Sequence, residues 1–257
     1  MPDTKLRMPG APDPKDNLLH GGRRNDTCLR CGKWRGAAGK NAHGVPEVPE
    51  NPALRKALGQ IVAEVRADTS TRTKRKDGRE EETTLQKEAF MIGVLEAKIR
   101  GVEYRFVASS GNQDPPWVQQ KHLKSLDRPK IWTLTDTPLP NSRKGWKNIR
   151  WGNIDLPESI TGVTSPCAAM KLLAALAGKV AGSNPWGPVE YVRLAEEYYR
   201  GPDFVPEIDR RTGRPKEQIA WRGEGSSGKG PGSWTAHSCG PCEQRIPYLI
   251  CDRPAAD

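Results

Sequence analysis

Apolar residues recur at the spacing of an amphipathic helix between residues 51 and 66. Asn51 is a residue type that caps helices, and Pro52 suits the first helical position. The apolar side chains that follow fall on one helix face: Leu54, Leu58, Ile61, Val62 and Val65. The pattern predicts a helix over residues 51–66 that packs on the rest of the domain.

The next apolar stretch changes its period part-way along. Its first half fits one helix face roughly, through Leu85, Phe90, Ile92, Val94 and Leu95. Gly101 then interrupts the pattern, and apolar residues alternate with polar ones as in a half-buried strand, at Val102, Tyr104, Phe106 and Ala108. We therefore expect a helix that ends before Gly101 and a strand that follows it.

A third apolar run begins directly after Cys167 and has helical spacing, through Met170, Leu172, Leu173, Leu176 and Val180. It predicts a helix that is opened by a cysteine. Three short segments have the composition of strands. Residues 129–135 or 146–152 are candidates for a second strand, and residues 189–194 for a third.

Loop-forming residues are abundant, because 26 Gly and 23 Pro are present among 257 residues. Residues 1–50 are expected to be irregular, residues 67–83 to form an exposed charged linker, and residues 223–232 to form a flexible loop. We divide the chain into a basic, Pro/Gly-rich extension (1–83), which contains the helix at 51–66, and one domain (84–257), which contains Cys167, Cys239 and Cys242.

Two cysteine clusters carry the candidate chemistry. Cys239 and Cys242 are three residues apart at a predicted helix start, where the helix dipole favours thiolates. Cys167 lies at another helix start. A catalytic zinc ion takes three protein ligands and keeps its fourth tetrahedral position open for water. The three cysteines are therefore candidate Zn²⁺ ligands.

The clusters Ser165–Ala169 and Ser238–Gln244 together resemble the zinc site of the cytidine deaminase-like superfamily. The first cluster reads Cys-Ala-Glu or His-Ala-Glu in that family, and its glutamate relays protons during attack on the base. Ala169 occupies the position of this glutamate. The resemblance implies Cys167, Cys239 and Cys242 as ligands of a catalytic centre that lacks its general acid/base.

The segment Phe90–Gly111 is similar to the opening helix and first strand of deaminase domains in bacterial polymorphic toxins. The resemblance implies an α/β fold, in which a cytidine deaminase-like mixed β-sheet is flanked by helices and preceded by the loop-rich extension. A second zinc helix would run from about residue 239 to residue 249. Residues 218–222 are a candidate for a further strand, since the tail after Cys251 is short.

Other arrangements of the cysteines remain open. The sequence from Cys239 to Cys242 has the letters of a thioredoxin redox motif, but too few residues follow it to complete that fold. Cys28 and Cys31 form a second pair, and two such pairs make a closed four-thiolate structural site. That arrangement leaves Cys167 as an ordinary buried cysteine.

The amino-terminal pair also has its own candidate partners. His20 precedes Cys28 and Cys31, and His43 follows them. Two cysteines and two histidines are a common ligand set for structural zinc. A second, smaller metal site in the extension is therefore a further hypothesis.

The formal net charge of +10 and the pI near 9.4 favour a nucleic acid partner. The resemblance to polymorphic-toxin deaminases implies DNA more than RNA. Eight tryptophans are interleaved with basic and loop residues, and exposed ones could stack on bases. Most are expected to be core or loop anchors. The candidate substrate contacts are Asn112, Trp234 and His237.

The sequence contains neither a signal peptide pattern nor an apolar run of membrane-spanning length. Paired thiols suited to metal also indicate a reducing compartment. We expect action in the cytoplasm without a membrane partner. If the chain is a toxin effector, delivery machinery would bring it there and an immunity protein would be a further partner.

These observations predict a zinc-dependent deaminase that converts cytosine to uracil in nucleic acid. Ala169 predicts that the chain binds without turnover, either through an inactivating Glu-to-Ala substitution or as a natural pseudo-enzyme. The alternatives are a free nucleoside deaminase and a non-catalytic, zinc-stabilised nucleic-acid-binding protein. The second of these leaves the helix opened by Cys167 unexplained.

Overall fold

The computed structural model describes residues 17–18, 22–23, 28–32, 48, 51–76, 78–111, 113, 115–136, 139–161, 166–181, 189–208, 210–211, 213 and 240–251. In chain order the elements are β1 (Asn17–Leu18), β2 (Gly22–Arg23), α1 (Pro52–Ala67), β3 (Thr71–Lys76), β4 (Arg79–Thr84), β5 (Ala89–Ile99), β6 (Val102–Ser109), β7 (Thr133–Leu134), β8 (Trp146–Asn148), β9 (Gly152–Ile154), α2 (Ala168–Ala181), β10 (Val189–Arg200) and α3 (Gly240–Ile250). The mixed α/β class is therefore confirmed.

The largest sheet has the strand order β10, β5, β6, β7. β5 pairs antiparallel with both β10 and β6, whereas β6 and the short β7 are parallel. The pairs β3–β4 and β8–β9 form separate two-stranded hairpins. β5 is thus a central strand of this sheet, with a long antiparallel partner on each side.

The sheet has an apolar layer on each face. On one face, α1 packs against β5 and β10, and its buried side chains belong to one core cluster. On the other face, α2 packs on β5 and β6 and also contacts α3 and β8. The side chains of α2 and α3 form a second core cluster with the opposite face of the sheet.

The predicted amphipathic helix is confirmed as α1. The Asn51 side chain accepts a hydrogen bond from the Leu54 amide at 2.7 Å, and Pro52 occupies the first helical position. All five predicted apolar positions are buried. The helix belongs to the predicted extension yet covers the sheet. The domain boundary at residues 83 and 84 stays a prediction.

The helix predicted between Leu85 and Gly101 is wrong, because residues 89–99 form strand β5. Val94 faces the α1 side of the sheet, and its neighbour Leu95 faces the α2 side. A strand buried on both faces has a nearly continuous apolar sequence, and such a run has no period that separates it from a helix.

Most of the other predicted elements are present in whole or in part. The strand after Gly101 is β6, the strand at 189–194 is the start of β10, and the helices at the two cysteine clusters are α2 and α3. The candidate strands 129–135 and 146–152 contain only short pieces, β7 in the first and β8 with the start of β9 in the second. The segments 218–222 and 223–232 lie outside the described residues.

The described part of residues 67–83 is largely exposed, as predicted, but the segment is not a linker, because it contains nearly all of the hairpin β3–β4. The contacts of Arg72 attach this charged segment to the rest of the domain. Its guanidinium group is buried and donates to the carbonyl oxygens of Pro116 and Trp117 and to the Asp68 carboxylate. Asp68 also contacts His122 and Lys121. This buried ionic cluster fixes the hairpin next to the end of α1.

Substitution of Gly93 should destabilise the sheet beneath α2. A Cβ atom at this position would lie 2.8 Å from Leu172 Cδ1 and 3.1 Å from Ala168 Cβ. We expect Gly93→Ala to lower the free energy of unfolding by about 1–3 kcal/mol through overpacking.

The matched control is Gly59, on the exposed face of α1, where a Cβ atom would have no other atom within 4 Å. Gly59→Ala should stabilise by about 0.5–1 kcal/mol. Equal stability of the two variants in urea unfolding would contradict the packing argument.

The Asp68 cluster predicts a pH-dependent loss of stability. Burial alone would raise the pKa of Asp68, but hydrogen bonds from Lys121, Ser70, His122 and Arg72 lower it well below its usual range. The stabilisation is therefore complete above the unfolded pKa of about 3.9 and is lost as pH falls below it. Asp68→Asn should cost about 1–3 kcal/mol at neutral pH, and this difference should shrink in acid. Asp127→Asn, at an exposed position, is the control.

Candidate metal centre

Helix α3 carries a cysteine near each end. Cys242 lies in the first turn, and Cys251 follows the last helical residue. A helix rises 1.5 Å per residue, so these nine positions correspond to roughly 13 Å along the axis. The two cysteines therefore cannot ligate the same metal ion.

Cys251 meets Cys28 and Cys31. The three sulfur atoms lie within 4.8 Å of one another, and all three side chains are buried. The Gly32 amide donates to the Cys28 carbonyl oxygen at 2.9 Å, and Gly32 has φ 64°, a conformation that glycine adopts without strain. This tight turn brings the two sulfur atoms of the Cys-x-x-Cys pair together. The group could hold a metal ion.

The backbone around this group is held by two polar side chains. Asn148, at the end of β8, is fully buried and donates to the carbonyl oxygens of Tyr248 and Cys251, at 2.6 and 2.9 Å. The side-chain oxygen Oδ1 of Asn148 accepts hydrogen bonds from the backbone amides of Arg150 and Trp151. Asn148 thus satisfies the carbonyl groups that the end of α3 leaves without helical partners.

Tyr248 and Arg30 connect the cysteine turn to α3. The Tyr248 hydroxyl donates to the Leu29 carbonyl oxygen at 2.9 Å. Burial is the main reason that the pKa of this hydroxyl lies above its ordinary value, and the nearby Cys28 raises the pKa further. The hydroxyl therefore stays protonated at neutral pH and remains a hydrogen-bond donor. Arg30 is buried, donates to the Cys251 carbonyl oxygen at 3.4 Å and lies over the Trp151 ring. A positive charge is therefore present beside the three thiols.

Two of the three predicted catalytic ligands fall within the described residues. Cys167 is half-buried immediately before α2, and Cys242 is buried in α3. Both contribute to the core cluster shared by α2 and α3. Cys239 lies outside the described residues, so the three-cysteine site stays a prediction.

The remaining candidates have mixed outcomes. Asn112, Trp234, His237, His20 and His43 lie outside the described residues. The four-thiolate alternative fails for Cys242, since Cys28 and Cys31 lie at the other end of α3. Among the tryptophans, Trp117, Trp132 and Trp146 are buried, as expected of core anchors rather than base-stacking platforms.

Cys251 is the functional candidate that sequence reasoning missed. The available signal was the presence of one cysteine beyond the two Cys-x-x-Cys pairs and Cys167. Nothing in the spacing of residues 28 and 251 indicates that they meet.

A buried carboxylate lies next to Ala169. Glu196, on β10, accepts a hydrogen bond from the Ala169 amide at 3.0 Å and is 4% exposed. A carboxylate in this position satisfies a free amide of the first turn and interacts favourably with the helix dipole. Gly93, opposite Glu196 on β5, leaves room for this side chain.

Comparison with known protein families, curated sequences and solved structures finds no significant match. Within the part of the chain that the structure describes, none of the helices has both the length and the apolar character needed to cross a bilayer.

Removal of the Asn148 amide should weaken the contact between β8 and α3. Asn148→Ala leaves two buried carbonyl oxygens without this donor, so we expect a loss of about 1–3 kcal/mol in the free energy of unfolding. Asn153, exposed in the same hairpin, offers the matched control Asn153→Ala. The measurement is chemical unfolding of both variants, and a loss as large in the control would refute the role of Asn148.

Proposed function

We propose that this chain is a zinc-dependent, cytidine deaminase-like protein that acts on cytosine in nucleic acid, DNA more than RNA. The observation that carries the proposal is the order of the core elements. Among the core elements, helix α1, the antiparallel strands β5 and β6, helix α2 preceded by Cys167, strand β10 and helix α3 with Cys242 in its first turn follow one another in the chain. The central strand β5 lies between β6 and β10. The resemblance implies the strand β6 and the two helices at the cysteine clusters in this order, whereas the residues of its opening helix form β5 and α1 is the helix that precedes the sheet.

The donor set suits zinc. Cys167 immediately precedes α2, and Cys242 lies in the first turn of α3. Helix starts stabilise thiolates through the dipole, and thiolates favour zinc over harder divalent ions. Cys239 would be the third ligand. Zinc held there would supply an activated water for attack at C4 of cytosine, with uracil and ammonia as products.

Ala169 offers no group for proton transfer between water, the ring nitrogen and the leaving ammonia. We propose that this missing carboxylate leaves the chain able to bind but not to turn over. Glu196 already places a carboxylate beside residue 169, because it accepts a hydrogen bond from the Ala169 amide. Its contribution must be separated from that of residue 169 in any assay.

The net charge of +10 supports nucleic acid as the polymeric partner. An immunity protein and delivery to a target cytoplasm belong to the proposal only if the chain is a toxin effector. A non-catalytic, zinc-stabilised binding protein is the second candidate. The observation that favours it is the buried Cys28, Cys31 and Cys251 group, which lies away from the start of α2.

Restoration of the acid should reveal the activity. Ala169→Glu is expected to raise uracil formation by about 100- to 10,000-fold over the unmodified chain, the usual contribution of general acid–base catalysis. The assay compares single-stranded DNA, duplex DNA, RNA and free cytidine. The control variant Ala169→Gln introduces a side chain of nearly the same volume as glutamate but without an acidic group, and it should remain inactive.

Two further variants complete this design. Glu196→Gln alone, and combined with Ala169→Glu, tests whether the neighbouring carboxylate contributes. Activity of the unmodified chain that Glu196→Gln abolishes would assign proton transfer to Glu196 and refute the expected inactivity. Silence of every variant on all four substrates, with zinc bound, would refute the deaminase and support the binding protein.

A further inference from the structure

We propose that Cys28, Cys31 and Cys251 form a structural zinc site, separate from the proposed catalytic one, that fastens the turn at residues 28–32 to the carboxyl end of α3. The ligands are three buried thiols whose sulfur atoms lie within 4.8 Å of one another. Two of them come from one tight turn, and the third is more than 200 positions away in the chain.

The chemistry of the donors favours zinc. A single buried cysteine behaves as a small apolar side chain and packs against apolar neighbours. Three thiols that come together from two distant segments offer one another little apolar surface to pack against. Within the described residues, their core cluster consists of these three cysteines alone. Thiolates select soft or borderline ions, and Cys-x-x-Cys spacing is typical of structural zinc. Burial of three thiols here is therefore better explained by a shared ion than by apolar packing.

The surroundings are those that a thiolate-rich metal site requires. Three thiolates and Zn²⁺ carry a net negative charge, and the buried Arg30 guanidinium lies beside them. Outer-shell hydrogen bonds orient metal ligands and support their affinity. Here the backbone carbonyl oxygen of Cys251 accepts from both Asn148 and Arg30, and the Cys28 carbonyl oxygen accepts from Gly32. Three thiolates leave one tetrahedral position of zinc for a fourth donor.

The site has a mechanical consequence for α3. Cys242 and Cys251 lie roughly 13 Å apart along this helix, so the two proposed ions would hold its opposite ends. The turn at residues 28–32 has no strand pairing to the main sheet among the described residues. A metal bond to Cys251 would therefore add a strong attachment to the domain beside the hydrogen bonds of Tyr248 and Arg30.

The test measures zinc content in the full chain, purified under reducing conditions. We expect about two zinc ions per chain, about one in Cys251→Ser, about one in Cys242→Ser and none in the double variant. Cys251→Ser should also lower the Tm. Zinc content unchanged by Cys251→Ser would overturn the inference and leave the deaminase proposal intact. Content unchanged by Cys242→Ser would instead count against the proposed catalytic site alone.

A second measurement does not depend on the folding of Cys251→Ser. Metal-free Cys242→Ser retains the three thiols of the proposed structural site. Addition of Co²⁺ to it should produce thiolate-to-metal charge-transfer absorption, with a Tm higher than that of the metal-free variant. Absence of this absorption, or a disulfide among the three cysteines in the freshly reduced protein, would refute the site.

Discussion

The burial of strand β5 on both faces is the constraint on which the rest of the structure depends. Its alternate side chains serve two core clusters, one beneath α1 and one beneath α2 and α3. Both long partners, β6 and β10, pair with it directly. Because β5 lies between the two helical layers and pairs with both long strands, its register determines where α2 begins relative to Glu196 and where the extension helix packs.

The start of α2 shows how closely this packing is tied to the proposed chemistry. Gly93 on β5 and Glu196 on β10 are paired neighbours, and both lie against the first turn of α2. The missing side chain at Gly93 allows a carboxylate to approach the Ala169 amide. The Glu196 carboxylate thereby caps the first turn of α2 beside the position where the resemblance places the acid.

Helix α3 links the two metal-binding proposals. Its first turn contains Cys242, and its last residue is followed by Cys251, which meets the amino-terminal pair. The Cys28–Cys31 turn is consequently an interaction partner of the domain rather than an isolated appendage. Tyr248 and Arg30 provide hydrogen bonds across this contact, and Asn148 joins the end of α3 to β8.

Local patterns were sufficient to predict α1, α2 and β6. The cap and single apolar face of α1, the apolar run of α2 and the alternation in β6 each produce a period that can be recognised from neighbouring residues alone. Tertiary structure decided the rest. β5 resembles a helix in sequence because both of its faces are covered, the β3–β4 hairpin depends on the partners of Arg72 elsewhere in the chain, and Cys251 joins Cys28 and Cys31 only after α3 has been placed. Contacts between residues so far apart in sequence depend on the packing of whole elements, and no local period encodes them.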